Sequence, residues 1–246
     1  MCGRAKLPDD VSEIKLDLKI DFDEIGDYRP CWNAAPTSLL PVIISENGAR
    51  TLTLMRWGLI PSWAKSIKMG YSTFNARAED IVIRPVFRGA WQAGRRCLVV
   101  ADGYYEWRAA DKQPFAVALG NRGPMTFAGL WDLWRDPASS DDKPLKSFAI
   151  ITTPANELLK PVHDRIQCSF RLTAGMAGSA KWPPARGTFW PCSSRIPATP
   201  WHFGLSIGES GNVRNDSPDL FAPSGELPLS GGVTSGTLGG RVRPSG

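Results

Sequence analysis

Apolar and polar positions alternate, or merge into short apolar runs, along much of the first 153 residues. TLTLMRW at 51–57, CLVVADGYYEW at 97–107, FAVAL at 115–119, MTFAGLWDLW at 125–134 and SFAIITT at 147–153 read as β-strands. Helical signals are fewer. Residues 8–20 (PDDVSEIKLDLKI) form a short amphipathic stretch with its acidic residues early, and Pro85 to Trp91 suits a short helix between strands. TPANELLKPV at 153–162 has the pattern of a capped helical turn, with Thr153 or Asn156 as the cap. The turn-rich stretch 28–41 reads as a loop. Strands outnumber helices without regular βα alternation, so the pattern predicts an α+β fold on a mostly antiparallel, β-barrel-like core. No internal repeat is present. From Pro223 onward the chain is rich in Gly, Ser and Pro and reads as a disordered tail, 223–246.

Composition narrows the class of protein. With 246 residues and 42% hydrophobic content, the chain can bury one sizeable core, here expected over residues 1–222. No apolar run has the length of a membrane span, and no basic-then-apolar signal pattern opens the chain. A soluble cytoplasmic protein without a membrane partner is the expectation. The five cysteines form no CxxC and are widely scattered, which fits reduced thiols better than a disulfide framework or a metal site. No cofactor is expected. The net charge of +5 is less informative than it looks, because residues 1–166 carry 22 Lys and Arg against 20 Asp and Glu. Nucleic-acid binding has to be argued from local clusters rather than bulk charge.

Several residues have chemical potential, each beside a plainer reading. Cys2 becomes the amino-terminal residue if Met1 is removed, which leaves a primary amine and a thiol on one residue. The amine titrates at roughly 8, so part of it is neutral and nucleophilic at cellular pH. Such a 1,2-aminothiol condenses with an aldehyde to an imine, and the thiol then closes a thiazolidine ring. A structural cysteine is the alternative. His163 is the one histidine outside an anomalous segment described below; it suits acid–base work, or is an ordinary surface residue in a Pro-Val-His-Asp-Arg turn. In Tyr104-Tyr105-Glu106-Trp107, strand geometry puts Glu106 on the face of Tyr104, opposite Tyr105 and Trp107. The carboxylate is then either solvated or desolvated with a raised pKa. Asn75 and Arg77 share a face if extended. Arg77 suits a phosphate, or else pairs with Glu79 or Asp80. The tryptophans are core residues by default, although Trp57 and Trp63 flank a segment suited to stacking on bases.

Taken in order, these residues resemble the SRAP family, abasic-site-processing proteins also named SOS response-associated peptidases. The matching pieces are MCGR at 1–4, CWNAAPT at 31–37, MRWGLIPSWAK at 55–65, FNARAED at 74–80, RRCLVVADGYYEW at 95–107, FAGLWDLW at 127–134 and IITTPANELLKPVHDR at 150–165. GNVRNDSPDL at 211–220 is similar to the family's closing motif. The resemblance implies a mixed fold around a β-barrel-like core with a groove for single-stranded DNA. It implies that Cys2 forms a covalent thiazolidine with the ring-opened sugar of an abasic site. Asn75 would hold the adduct, Glu106 would serve as general acid and base, and His163 would assist ring opening. Arg4 and Arg77 would bind phosphates, with Trp63 and Trp107 along the DNA path. The implied protein is a monomer that uses no metal, associates with the nucleoid when on DNA, and takes single-stranded DNA containing abasic sites as its partner. A cysteine peptidase acting on its own Met1–Cys2 bond and a plain single-stranded-DNA-binding module remain the competing readings.

The resemblance lapses after Arg165, where the family continues with Met-Pro-Val and a helical region. Residues 167–210 instead carry a Pro-, Ser-, Trp- and Arg-rich stretch before the pattern returns at Gly211. One base out of register, the genetic code permits PVLIPPDxWxGWL from Ile166 and LALLKPYPGDTLAFWPVDRRVG near Thr188 to Ser210. Some letters are forced: Phe189–Trp190 gives only Leu, and Trp190–Pro191 and Trp201–His202 give only Ala. The expectation is a segment translated out of frame and poorly packed, with a divergent insertion as the rival.

Overall fold

The computed structural model describes residues 3–119, 125–139, 143–171, 201–205 and 208–221. Its strands are β1 (Arg4–Lys6), β2 (Phe22–Glu24), β3 (Leu39–Glu46), β4 (Ala49–Trp57), β5 (Asn75–Arg77), β6 (Arg96–Ala101) and β7 (Gly103–Trp107), followed by β8 (Pro114–Leu119), β9 (Met125–Trp134), β10 (Leu145–Pro154), β11 (Arg165–Gln167), β12 (Ser169–Arg171) and β13 (Trp201–Leu205). Two α-helices, α1 (Ser12–Asp17) and α2 (Pro85–Gln92), complete a mixed, strand-dominated α+β architecture.

Five strands form a ring in the order β4, β3, β6, β9, β10. Each neighbouring pair is antiparallel except β10 against β4, whose parallel contact at Ser147↔Arg56 and Phe148↔Trp57 closes it. The ring strands are apolar on both faces, and the period of two sorts their side chains. Val42, Ile44, Cys97, Val99, Phe127 and Phe148 join one core cluster, while Ile43, Leu98, Val100, Ala128 and Ala149 join another. The first cluster also holds Tyr104, Val117 and Leu119 from a second sheet, ordered β1-β7-β8-β13. The second cluster packs against Ile14 of α1 and against Phe87, Ala90 and Trp91 of α2. The two sheets therefore sandwich one core and the helices cover the other.

The structure departs from the sequence reading at particular points. The loop expected over 28–41 ends early, because Leu39 begins β3, a ring strand hydrogen-bonded on both sides. The run 97–107 is two strands: the chain leaves the ring at Ala101 and enters the second sheet at Gly103. Gly103 permits that transfer, since a Cβ there would lie 2.5 Å from the Val117 carbonyl oxygen. In the 153–162 turn the cap is Asn156, whose Oδ1 accepts the Leu159 N–H at 3.0 Å, while Thr153 belongs to β10. Cys31 and Cys97 carry free thiols, but Cys168 is disulfide-bonded, against the expectation of reduced thiols. Sequence spacing does not report which cysteines the fold makes neighbours. No described helix is long and apolar enough to cross a membrane. Cys2, the tail 223–246 and most of 167–210 lie outside the described residues.

Candidate active site

Glu106 lies in β7, hydrogen-bonded between β1 and β8 with Arg4 opposite Tyr105 and Phe115 opposite Glu106. Strand alternation sends Tyr104 into the shared core, edge-on to Phe127 at 5.9 Å. Tyr105 and Trp107 pack on the other face with Leu220 and Phe221. Glu106 shares the Tyr104 side and is 4% exposed, so the desolvated reading is the observed one. Burial raises its carboxyl pKa above the usual range, and neighbouring positive charge, including that of His163, draws it partly back.

His163 is therefore near enough for its charge to act on Glu106. His163 ends the turn that Asn156 caps, and its N–H donates to the Leu159 carbonyl at 3.0 Å. The turn is tied to the end of β7 by the Ala109 N–H, which donates to the Val162 carbonyl at 3.2 Å. The Arg165 N–H donates to His163 Nδ1 at 3.0 Å, which leaves Nε2 to carry the proton of the neutral ring. The Asp164 carboxylate also stands 2.7 Å from Nδ1, but it is 84% exposed, so water competes for it. The backbone bond therefore sets the orientation.

Asn75 and Arg77 lie on β5, parallel to β10 with Asn75 opposite Ile150 and Arg77 opposite Thr152. The extended backbone puts both on one face, and both line a cleft of about 210 Å³ with Ser72, Asp80, Arg84 and Phe87. The carboxylates that compete for Arg77 in sequence are engaged elsewhere. Glu79 receives a two-pronged bond from Arg165 at 2.6 and 3.0 Å, which holds its carboxyl below the ordinary range. Asp80 pairs with Arg84 at 3.5 Å. Among the described residues Arg77 forms no ion pair and is exposed.

The remaining expected residues are spread around this centre. Arg4 donates to the carbonyls of Gly3 at 2.8 Å and Gly211 at 3.1 Å, so it braces the closing motif. Trp63 is 56% exposed, whereas Trp107 is half-buried on the face of β7 opposite Glu106. Gly3 connects the two halves of the site. It precedes β1, which pairs with the Glu106 strand, and a Cβ on it would lie 3.9 Å from the ring of Phe74, the residue before Asn75.

Asn33 was not singled out from the sequence. It is buried, and its amide shares two hydrogens among the carbonyls of Ser210, Asn212 and Asn215 at 3.2, 2.9 and 3.0 Å. Asp216 accepts the Trp32 N–H, and the Tyr105 hydroxyl donates to the Trp32 carbonyl at 2.8 Å. The two motifs involved, CWNAAPT and GNVRNDSPDL, are visible in the sequence; their docking is not.

The structure thus holds a buried carboxyl of raised pKa on β7 and a separate cleft lined by Asn75, Arg77 and Arg84. A family model described as SOS response associated peptidase (SRAP) matches residues 1–175, and the chain belongs to this family. The abasic site processing protein YoqW of Bacillus subtilis is 39% identical over 170 residues, covering 68% of this chain and 74% of that protein. HMCES of Gallus gallus, also named an abasic site processing protein, is 29% identical over 245 residues, 80% of this chain and 67% of that one. The crystal structure of a Bacteroides thetaiotaomicron protein matches with a TM-score of 0.73 at 20% identity, over 91% of this chain and all of that one, which shows the fold.

Proposed function

We propose that this protein acts on abasic sites in single-stranded DNA and links itself to them through Cys2. The observation that carries the proposal is the convergence of three strands around the chain's beginning. Gly3 lies between the strand of Glu106 and the residue preceding Asn75, and Cys2 is one Cα step, about 3.8 Å, from Gly3. Removal of Met1 exposes the aminothiol there.

The α-amine of Cys2 adds to C1′ of the ring-opened sugar, giving a carbinolamine. Glu106 in its protonated form donates to the hydroxyl, which leaves as water, and its carboxylate then takes the proton from the nitrogen, so that an imine remains. The Cys2 sulfur then bonds to C1′ and its proton passes to the nitrogen by way of Glu106, closing the thiazolidine. Aminothiol and aldehyde go in; thiazolidine and one water come out. His163 moves the proton that opens the sugar ring. Asn75 holds the adduct. Arg77 and Arg4 take flanking phosphates, with Trp63 and Trp107 beside the bases. The raised pKa of Glu106 suits this role, since a general acid works best with a pKa near the working pH. Capping the aldehyde also prevents the β-elimination that breaks the strand. The protein works as a monomer.

The test is a denaturing gel of the mature protein with uracil-containing single-stranded DNA treated with a uracil glycosylase. An adduct that survives denaturation and is lost in Cys2→Ala is expected. Peptide cleavage without an adduct favours a peptidase, and reversible salt-sensitive binding alone favours a plain binding module. Mass spectrometry showing retained Met1 overturns the chemistry.

A further inference from the structure

Trp63 projects from a turn that the core holds at three points. The turn runs from Pro61 to Ala64, whose N–H donates to the Pro61 carbonyl at 2.9 Å. On one side of it, Ser147 Oγ accepts the Ile60 N–H at 2.9 Å. Beyond Pro61, which has no N–H of its own, Asp132 Oδ2 accepts the Ser62 N–H at 3.2 Å. After Trp63, the Trp134 indole N–H donates to the Ala64 carbonyl at 2.7 Å.

All three anchors are buried. Ser147 is fully enclosed, and Asp132 and Trp134 are each 3% exposed. Ser147 and Asp132 are direct cross-strand partners in the β9–β10 pair, so the ring presents both to the turn from one face. Asp132 is itself fixed, because Oδ1 accepts the Leu133 N–H at 2.8 Å and a hydrogen bond from the Arg95 guanidinium. A hydroxyl and a carboxylate buried in an apolar ring are costly unless hydrogen-bonded. Here the Ile60 N–H at the start of the turn satisfies the hydroxyl, and the Ser62 N–H within it satisfies the second carboxylate oxygen. The outcome is a large aromatic side chain, 56% exposed, on a backbone with little freedom left to lose.

We infer that Asp132 and Ser147 are positioning residues for Trp63, holding its turn so that the indole meets a nucleobase of the single strand next to the abasic site. The inference rests on the DNA-binding reading above. Preorganisation lowers the ordering cost of stacking, so the anchors act on DNA capture rather than on the covalent step.

Two measurements test this. Fluorescence anisotropy with a short single strand lacking abasic sites reads affinity; crosslinking rate against DNA concentration separates half-saturation from maximal rate. Trp63→Ala is expected to weaken binding about tenfold, the loss of one stacked base. Asp132→Asn and Ser147→Ala are each expected to raise the half-saturating DNA concentration about three- to tenfold, within the range of that stacking contact, with the maximal crosslinking rate unchanged. Because they act through Trp63, neither adds more than about twofold in the Trp63→Ala background. Losses that multiply in the double variants, or single variants that bind like the parent, overturn the inference. Ser147→Ala removes only a hydroxyl and decides the matter if Asp132→Asn melts below the assay temperature. If Trp63→Ala binds normally while crosslinking persists, the positioning role fails and the abasic-site reading stands. If the parent forms no adduct, that reading fails instead.

Discussion

β7 and β5 carry the polar residues Glu106 and Arg77 in opposite settings. β7 has hydrogen-bonded neighbours on both sides, and Glu106 is sealed between two sheets. Among the described strands β5 pairs only with β10, and Arg77 stands at the surface. The difference follows from chemistry. A carboxyl that must hold a proton near neutral pH needs desolvation, whereas a cation that meets a phosphate needs access. A sheet interior supplies the first and a sheet margin the second.

Breaking the buried side has the largest expected effect. Glu106→Gln should slow crosslinking at least about 100-fold, the usual contribution of a positioned acid, while binding to intact single strands persists. The same variant reports on stability. A carboxyl with a raised folded pKa binds more protons folded than unfolded, so stability falls as pH rises from the ordinary value of 4.5 through the folded one. Thermal melts should show Glu106→Gln more stable than the parent at pH 8, with the advantage gone at pH 4. An equal difference at both pH values contradicts a desolvated Glu106.

The next effect concerns what seals the far face of β7. Asn33→Ala removes the three bonds to 210–215 and should cost about 1–3 kcal/mol by urea unfolding, because the buried Ser210 carbonyl and two part-buried ones lose their donor. A change near zero means that the closing motif is held by Leu220 and Phe221 alone. The smallest effect belongs to the open side. Arg77→Ala should weaken single-strand binding about fivefold and lower the salt-dependence slope by about one, as for one lost phosphate contact. A slope equal to the parent's removes Arg77 from the DNA path.

The legibility of these regions in sequence differs for physical reasons. Period two correctly put Glu106 on the face of Tyr104 and set Asn75 and Arg77 together, because strand alternation is local. It did not show whether the Glu106 face is wet, which depends on a second sheet. Nor did it show that Glu79 belongs to Arg165, a residue 86 positions away that sequence proximity to Arg77 obscures. β3 was hidden by Pro30, Pro36 and Ser38 before it and Pro41 within it, although LLPVIISE is apolar enough for a ring strand. The split at Asp102 is marked in sequence only by the turn-prone pair Asp102-Gly103, which the strand-forming residues on either side mask.

The Asn33 clamp also bears on synthesis. Its partners lie 177 to 182 residues further along the chain. At about 5–20 residues per second, a ribosome takes roughly 10–35 seconds to deliver them after Asn33 itself. During that interval β1 and Asn33 are already made, but the segment that accepts a hydrogen bond from Arg4 and covers Tyr105 has not arrived. The far face of β7 therefore stays open on the nascent chain until the last part of the domain has been made.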